Sequence, residues 1–288
     1  QRDLYELRKP VFDWGIYTVF RSQDYDISNE NQPTYAPEVT NSLGFSEENT
    51  VNTANYDDYA FVNRSGWGVI PDFWARFQWS PKRGQLLRLE TEWAMVIGEV
   101  ENVDFTVGPD STSNPKEIEQ WGGVLQTEFQ ANGNLSVFLE SGVASGDDAE
   151  YFAVKDQVNY GEADASGNLG SNRKVTNFKF DRNYYTDLLL FREVIGAVTN
   201  TVYVKPGVQY DLFDSREDAL GFRFDILTAF ALEPEATPGN DGFYGVEFDT
   251  QLFYEESNRF RADLSWGTLV PGAAFNLVEG YLGSTGTQ

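Results

Sequence analysis

Glu90 and Glu92 stand two residues apart in "RLETEWAMVIG" (88–98). In a strand they share a face about 7 Å apart, twice the rise per residue, a separation at which paired carboxylates can hydrolyse glycosides. Such pairs arise wherever the polar row of a strand is acidic, so the spacing does not assign catalysis and no enzyme is expected. "DYDISNE" sets Asp24, Asp26, Ser28 and Glu30 at the alternate spacing of a calcium loop. It lacks the turn glycine and the bidentate terminal acid of that loop. "SGDDAE" adds Asp147, Asp148 and Glu150. Calcium bridging to lipid phosphates is one reading of these stretches, and a solvated acidic loop is the plainer one.

The chain has no histidine and no cysteine. Imidazole-based triads and dyads are therefore excluded, as are zinc sites built on His or Cys and all thiol chemistry. A formal charge of −24 argues against nucleic acid, whose phosphates demand a basic face. It suits a secreted or surface protein kept in solution by its carboxylates. The 288 residues fit one large domain or two ordinary ones, and an apolar content of 41% with 15% aromatics is enough to fold. No stretch approaches the roughly 20 apolar residues of a membrane helix. The most apolar segment, "DLLLFREVIGAV", carries Arg192 and Glu193. Gln1 is neither an initiating Met nor the start of a signal peptide, so the expectation is a chain that is mature or truncated at its front.

The elements that would position these acids alternate with period two. Phe12, Trp14, Ile16, Thr18 and Phe20 oppose Asp13, Gly15, Tyr17 and Arg21; Phe73, Ala75, Phe77 and Trp79 oppose Asp72, Trp74, Arg76 and Gln78. Leu89, Thr91, Trp93, Met95 and Ile97 oppose Arg88, Glu90, Glu92 and Ala94. Similar ribbons follow around Trp121–Gln130, Leu135–Glu140, Val202–Leu212, Leu220–Phe230, Tyr244–Tyr254 and Phe260–Val270, nine strands in all. Tyr244 falls in the apolar row of its ribbon by this parity.

Connections alternate between short and long. "SPKRG", "ANGN", "DSRED" and "ESN" are short, whereas residues 22–66, 99–118, 145–200 and 231–242 are long and rich in Asn, Asp, Ser, Gly and Pro. Short turns at one end, long loops at the other and strands of about 10 to 13 residues predict an all-β, antiparallel up-and-down transmembrane barrel, with the apolar row facing lipid. Trp14, Trp79, Trp93, Trp121, Tyr210, Tyr254 and Trp266 would form the interfacial girdles. The alternative is a soluble β-sandwich binding glycans, with the same apolar rows packed against a second sheet. If every short turn lies on one side, residues 145–200 make no net crossing. "YYTDLLLFREVIGAVTN" (184–200) is then a loop, folded as a short helix or an inward plug. Nine crossings and a tail, "GYLGSTGTQ", unlike a closing strand suggest a portion of a larger barrel of about 16–18 strands.

"GIYTVFRSQDYD" (15–26), "DFWARFQWSP" (72–81), "LRLETEWAMVIGEVEN" (87–102), "LLLFREVIGAVTNTVYVKPGVQYDL" (188–212) and "ATPGNDGFYGVEFD" (236–249) resemble the large porin-like outer-membrane barrels related to the alginate-export type. The resemblance covers most of the chain and implies a longer barrel in a bacterial outer membrane, in contact with lipid and lipopolysaccharide. In such a barrel the polar rows line the lumen. Asp13, Asp72, Glu90, Glu92, Glu128, Glu140, Asp211, Asp225, Glu247, Asp249 and Asp263 outnumber Arg21, Arg76, Arg88, Lys205, Arg223 and Arg261. A pore for anionic polysaccharide would reverse that balance. The expected function is passage of solutes through a polar, acidic lumen; a plugged, non-conducting scaffold or adhesion barrel with envelope partners is the second expectation.

Overall fold

A computed structural model describes residues 9–27, 61–101, 115–147, 174–181, 183–214, 218–256 and 260–276. Ten strands form one sheet: β1 (Val11–Ile27), β2 (Phe61–Trp79), β3 (Leu86–Val100), β4 (Lys116–Gln130), β5 (Leu135–Ala144), β6 (Lys174–Val175), β7 (Thr201–Asp214), β8 (Asp218–Phe230), β9 (Phe243–Glu256) and β10 (Phe260–Pro271). Nine of them follow one another up and down in sequence order, every neighbouring pair antiparallel. The exception is β6, two residues long, which runs parallel to the start of β4. Because β5 pairs directly with β7, the long segment between them makes no net crossing of the sheet. Among the described residues β1 and β10 do not pair with each other, so the sheet is open.

The strands outrun the alternation that announces them. β1 continues to Ile27 and β2 begins at Phe61, so the first long connection is shorter at both ends than 22–66. β3 reaches Val100 and β4 starts at Lys116, which trims 99–118 likewise. Polar and glycine residues such as Ser22, Gln23, Ser65 and Gly66 hide these ends in the sequence, since backbone pairing continues where side-chain patterning stops. Asp24 and Asp26 thus belong to extended β1, next to a register shift between Gln23 and Tyr25. Ser28, Glu30, Asp148, Glu150 and the tail "GYLGSTGTQ" lie outside the described residues.

The two faces of the sheet differ in what covers them. Along the apolar rows most of the large side chains are exposed, among them Trp121 at 39%, Trp93 at 45%, Phe12 at 63% and Trp266 at 72%. A β-sandwich would have buried this face under a second sheet; among the described residues no protein layer lies on it. Aromatics cover the backbone there instead. Trp93 lies over Gly123, its directly opposite partner, where an added Cβ would stand 2.4 Å from the ring.

The hydrophobic cluster sits on the opposite, nominally polar face. Leu190, Phe191, Ile195 and Val198 from the segment before β7 pack on Tyr203, Leu227, Ala229 and Tyr244 of the sheet, and Ala274 closes the group. Tyr244 is buried in this cluster, contrary to its parity in the sequence, and its hydroxyl donates to the Asn200 carbonyl at 2.9 Å. The reason is a bulge. Gly245 adopts φ +126°, and the β8–β9 register shifts between Ala229 and Phe230, which turns the preceding residue to the other face.

Gly245 is accordingly a sensitive position: an added Cβ would lie 2.3 Å from the Val270 carbonyl oxygen. Gly245→Ala is expected to cost about 1–3 kcal/mol from its backbone conformation alone, and more from that collision. The denaturant midpoint should drop for this variant and hold for Gly133→Ala, whose Cβ would meet nothing within 4 Å.

Candidate functional site

After β5 the chain returns across the polar face of the sheet. The Ser145 carbonyl accepts the Phe178 amide at 3.0 Å, and Phe180 donates its amide to Val198 O at 3.0 Å. Glycines on the sheet make room for the returning chain and for the large inward rings. An added Cβ at Gly122 would stand 2.4 Å from the Phe178 ring, and one at Gly142 equally close to Tyr203, its cross-strand partner. Phe178, Phe180 and Tyr184 stack edge to face, with centroids 5.9 and 5.5 Å apart.

The segment then makes a π-helical turn, Leu190–Ile195, that ends at Gly196 with φ +88°. Of the short helix or inward plug expected over 184–200, the helical part is this single turn. Its start is held by the sheet: the amides of Leu188, Leu189 and Leu190 all donate to the carboxylate of Glu247 on β9, at 3.0, 2.8 and 2.7 Å. These are orphan donors that a helical start leaves without internal partners, and a carboxylate complements them. Glu247 is fully buried in this role. Asp187 accepts the Phe191 amide at 2.6 Å, and Lys205 of β7 donates its ammonium to the Thr186 carbonyl. Burial pushes the Asp187 carboxyl up to about 6, with the nearby Glu247 charge adding to the rise. Burial likewise raises the Tyr184 phenol.

Beside this anchor lies a cavity of about 500 Å³, walled by β3, β4, β5, β7, β8, β9 and Ser265 of β10 on one side and by residues 185–188 and Arg192 on the other. Several of its charged groups are arranged in pairs. Arg223 grips Asp225 at 2.7 and 2.9 Å and lies 4.3 Å over the Phe138 ring. Arg88 donates to Glu90 and stands 3.8 Å from Glu128, while Glu90 also takes the Trp74 indole N–H at 2.7 Å. Glu140 accepts from the Tyr203 hydroxyl at 2.9 Å and from Gln126 at 3.0 Å.

Of the charged residues singled out in the sequence, Arg88, Glu128, Glu140, Lys205, Arg223, Asp225 and Asp249 meet at this cavity, with Glu247 at its root and Glu90 behind Arg88. The others are spread over the sheet. Asp13 pairs with Arg76 across β1–β2 at 3.1 Å, Arg261 with Asp263 along β10 at 2.9 Å, and Arg21 donates to Gln23. Asp211 accepts from Gln209 toward the end of β7, while Asp72 and Glu92 lie together on β2 and β3. Trp14, Trp79, Trp93, Trp121, Tyr210 and Trp266 are exposed on the apolar face, and Tyr254 is half-buried there. Among the described residues no group of three or more Asp or Glu is placed to hold a metal ion.

The sequence reading did not single out Asp187, Tyr184, Tyr203 or the Leu188–Leu190 amides. One signal for Asp187 was present: an aspartate immediately before the apolar run "LLLF" is where a helical start takes its capping acid. No protein-family model matches the chain, and neither does any curated protein. The fold and site therefore define a class by architecture alone: an open antiparallel up-and-down sheet with a chain segment anchored on its polar face.

Two measurements probe this anchor. Glu247→Ala strips three buried amides of their acceptor and should cost about 3 kcal/mol or more. Hydrogen exchange at residues 188–191 should accelerate in that variant, with the distant β2–β3 amides unchanged. Asp187 gives a pH dependence of definite sign. Its folded-state value lies above the usual 3.8, so docking is strongest below the usual value and weakens as pH rises to about 6, then levels off. Asp187→Asn keeps an acceptor for the Phe191 amide and should flatten exchange protection at 188–191 between about pH 4 and about pH 7.

Proposed function

We propose that this chain forms the wall of a bacterial outer-membrane β-barrel channel that passes polar solutes through an acidic lumen. In this reading the apolar rows face lipid, the polar rows face the pore, and β1 and β10 pair with further strands that close the barrel. One observation carries the reading: most large apolar side chains are exposed on one face with no protein over them among the described residues, while partly exposed ion pairs and a folded-in segment occupy the other. A soluble protein rarely leaves so large a contiguous apolar surface uncovered. Long strands support it as well. The nine long strands run from 10 to 19 residues, and about 9 to 11 tilted residues suffice to cross a bilayer.

The resemblance to porin-like barrels related to the alginate-export type points the same way and supplies the localisation, with lipid and lipopolysaccharide as the surroundings of the apolar face. Calcium bridging acidic outer segments, Asp24 and Asp26 among them, to lipid phosphates belongs to the same proposal. The segment over 176–200 acts as an inward constriction that filters solutes by size and charge.

A second reading, a plugged scaffold barrel with envelope partners, draws on the Glu247 anchor, since three charge-assisted hydrogen bonds hold the constriction firmly in place. Planar-bilayer recording separates the two. The channel reading expects discrete conductance steps with preference for cations over anions; silence at every voltage favours the scaffold. Aggregation on removal of detergent is expected of both, and a monodisperse protein without detergent would overturn both.

A further inference from the structure

Residues 185–189 reach across the polar face as far as β10, and polar contacts hold them there. The Leu188–Leu190 amides rest on Glu247, and the Thr186 carbonyl rests on the Lys205 ammonium. Leu188 and Leu189 also press on Gly267 of β10, where an added Cβ would stand 3.1 Å from Leu188 Cβ and 3.2 Å from Leu189 Cγ. A strand glycine marks such a close approach. The following residues are held differently. Leu190, Phe191, Ile195 and Val198 sit in the apolar cluster, and Thr199, Asn200 and Thr201 are at most 1% exposed. The Asn200 side chain exchanges hydrogen bonds with the Glu233 backbone at 2.8 and 2.9 Å. The segment thus has a firmly packed end and a polar arm.

Under the arm the hydrogen bonding is incomplete. Asp187 and Asp249 are 5% and 8% exposed, and Oδ1 of each has no hydrogen-bond partner among the described residues. Asp249 Oδ1 converges with Leu188 and Leu189 on Gly267, so the docked arm itself closes it off. Docking therefore takes both carboxyl groups out of water beside Glu247, whose oxygens are spent on backbone amides. For Asp187, in the loop, burial with the Glu247 charge adding to it pushes the carboxyl up to about 6. Glu247 and Asp249 face it from β9 and Lys205 from β7, while Arg192 follows on its own segment. The Tyr203 hydroxyl of β7 is given to Glu140 of β5, Arg223 and Asp225 of β8 hold each other, and β10 contributes uncharged Gly267.

We propose that residues 185–189 form a proton-operated arm, which lies on the sheet while Asp187 is protonated and lifts from it, pivoting at Leu190, as Asp187 ionises. The sheet stands behind the arm, so the only direction open to it is away from the wall. In the channel reading, on which this consequence rests, that direction is the lumen, and the lifted arm obstructs the passage as pH rises. The lifting itself does not require conductance.

Hydrogen exchange on the detergent-solubilised full chain, together with a covalent lock, tests it. The chain has no cysteine, so Leu188→Cys with Gly267→Cys introduces a single pair, at a spacing that a small outward shift brings to the roughly 3.8 Å between Cβ atoms of a disulfide. In the wild type, protection of the 188–190 amides, corrected for intrinsic exchange rates, should fall about tenfold between pH 5 and pH 7.5, with the β2–β3 amides unchanged. The oxidised double variant should show no such fall, and reduction should restore it. Bilayer current should drop over the same pH interval in the wild type and stay level in the oxidised variant. Flat wild-type protection overturns the proposal even if the variant fails to fold. Equal loss of protection at β2–β3, or an undiminished pH dependence in the oxidised variant, overturns it too. A conducting protein whose arm ignores pH defeats this inference alone; a pH-dependent arm in a protein that never conducts defeats the channel reading alone.

Discussion

A single buried carboxylate fixes how the polar face of this sheet is used. Glu247 takes three consecutive amides from Leu188, Leu189 and Leu190, and so turns what would be an exposed polar strand residue into the root of a folded-in segment. Remove that contact and the π turn loses its start. Leu190, Phe191, Ile195 and Val198 would then have no reason to lie on Leu227 and Ala229, and the cavity beside them would lose one wall. The buried charge is tolerable because every lone pair directed at the segment meets an N–H, the condition under which a buried ion is retained without a counter-ion.

The sheet accommodates the segment by absence as much as by contact. Gly122 and Gly142 leave the space that the Phe178 and Tyr203 rings occupy, and Gly207 leaves space for Asp225, whose Oδ1 would lie 2.0 Å from an added Cβ. Glycine in a strand interior is locally unfavourable, so its repeated use on this face marks where another group approaches. On the apolar face, Gly123 has the same relation to Trp93, where the ring shields the backbone from the surroundings. Among the described residues, that difference in occupants, chain on one side and only side chains on the other, is the physical basis for the proposal that lipid covers the apolar rows.

Alternation of "RLETEWAMVIG" and its counterparts made the nine long strands legible, together with their order, their antiparallel sense and the absence of a crossing between β5 and β7. A period of two is a property of adjacent residues and survives without any tertiary information. Less legible were the strand ends, Ser22–Ile27 and Phe61–Gly66, where pairing continues past the apolar alternation, and the side of Tyr244, which a glycine bulge reverses. The candidate site was half legible. Its strand acids and arginines follow from parity, yet parity says nothing about which strands stand under the same loop, so Glu247 and Asp249 were indistinguishable from Asp211 or Asp263.

The amino-acid sequence by itself determined the ribbon: which residues form strands, which of their faces is apolar, and that neither imidazole nor thiol chemistry is available. Only the tertiary structure decided that 184–200 lies on the polar face, that Glu247 holds it there, and that Asp187, from the loop, and Asp249, from β9, line one cavity. The reason is distance along the chain. Hydrogen bonds between residues 57 to 59 positions apart are set by how a loop closes over a completed sheet, and no local pattern encodes that closure.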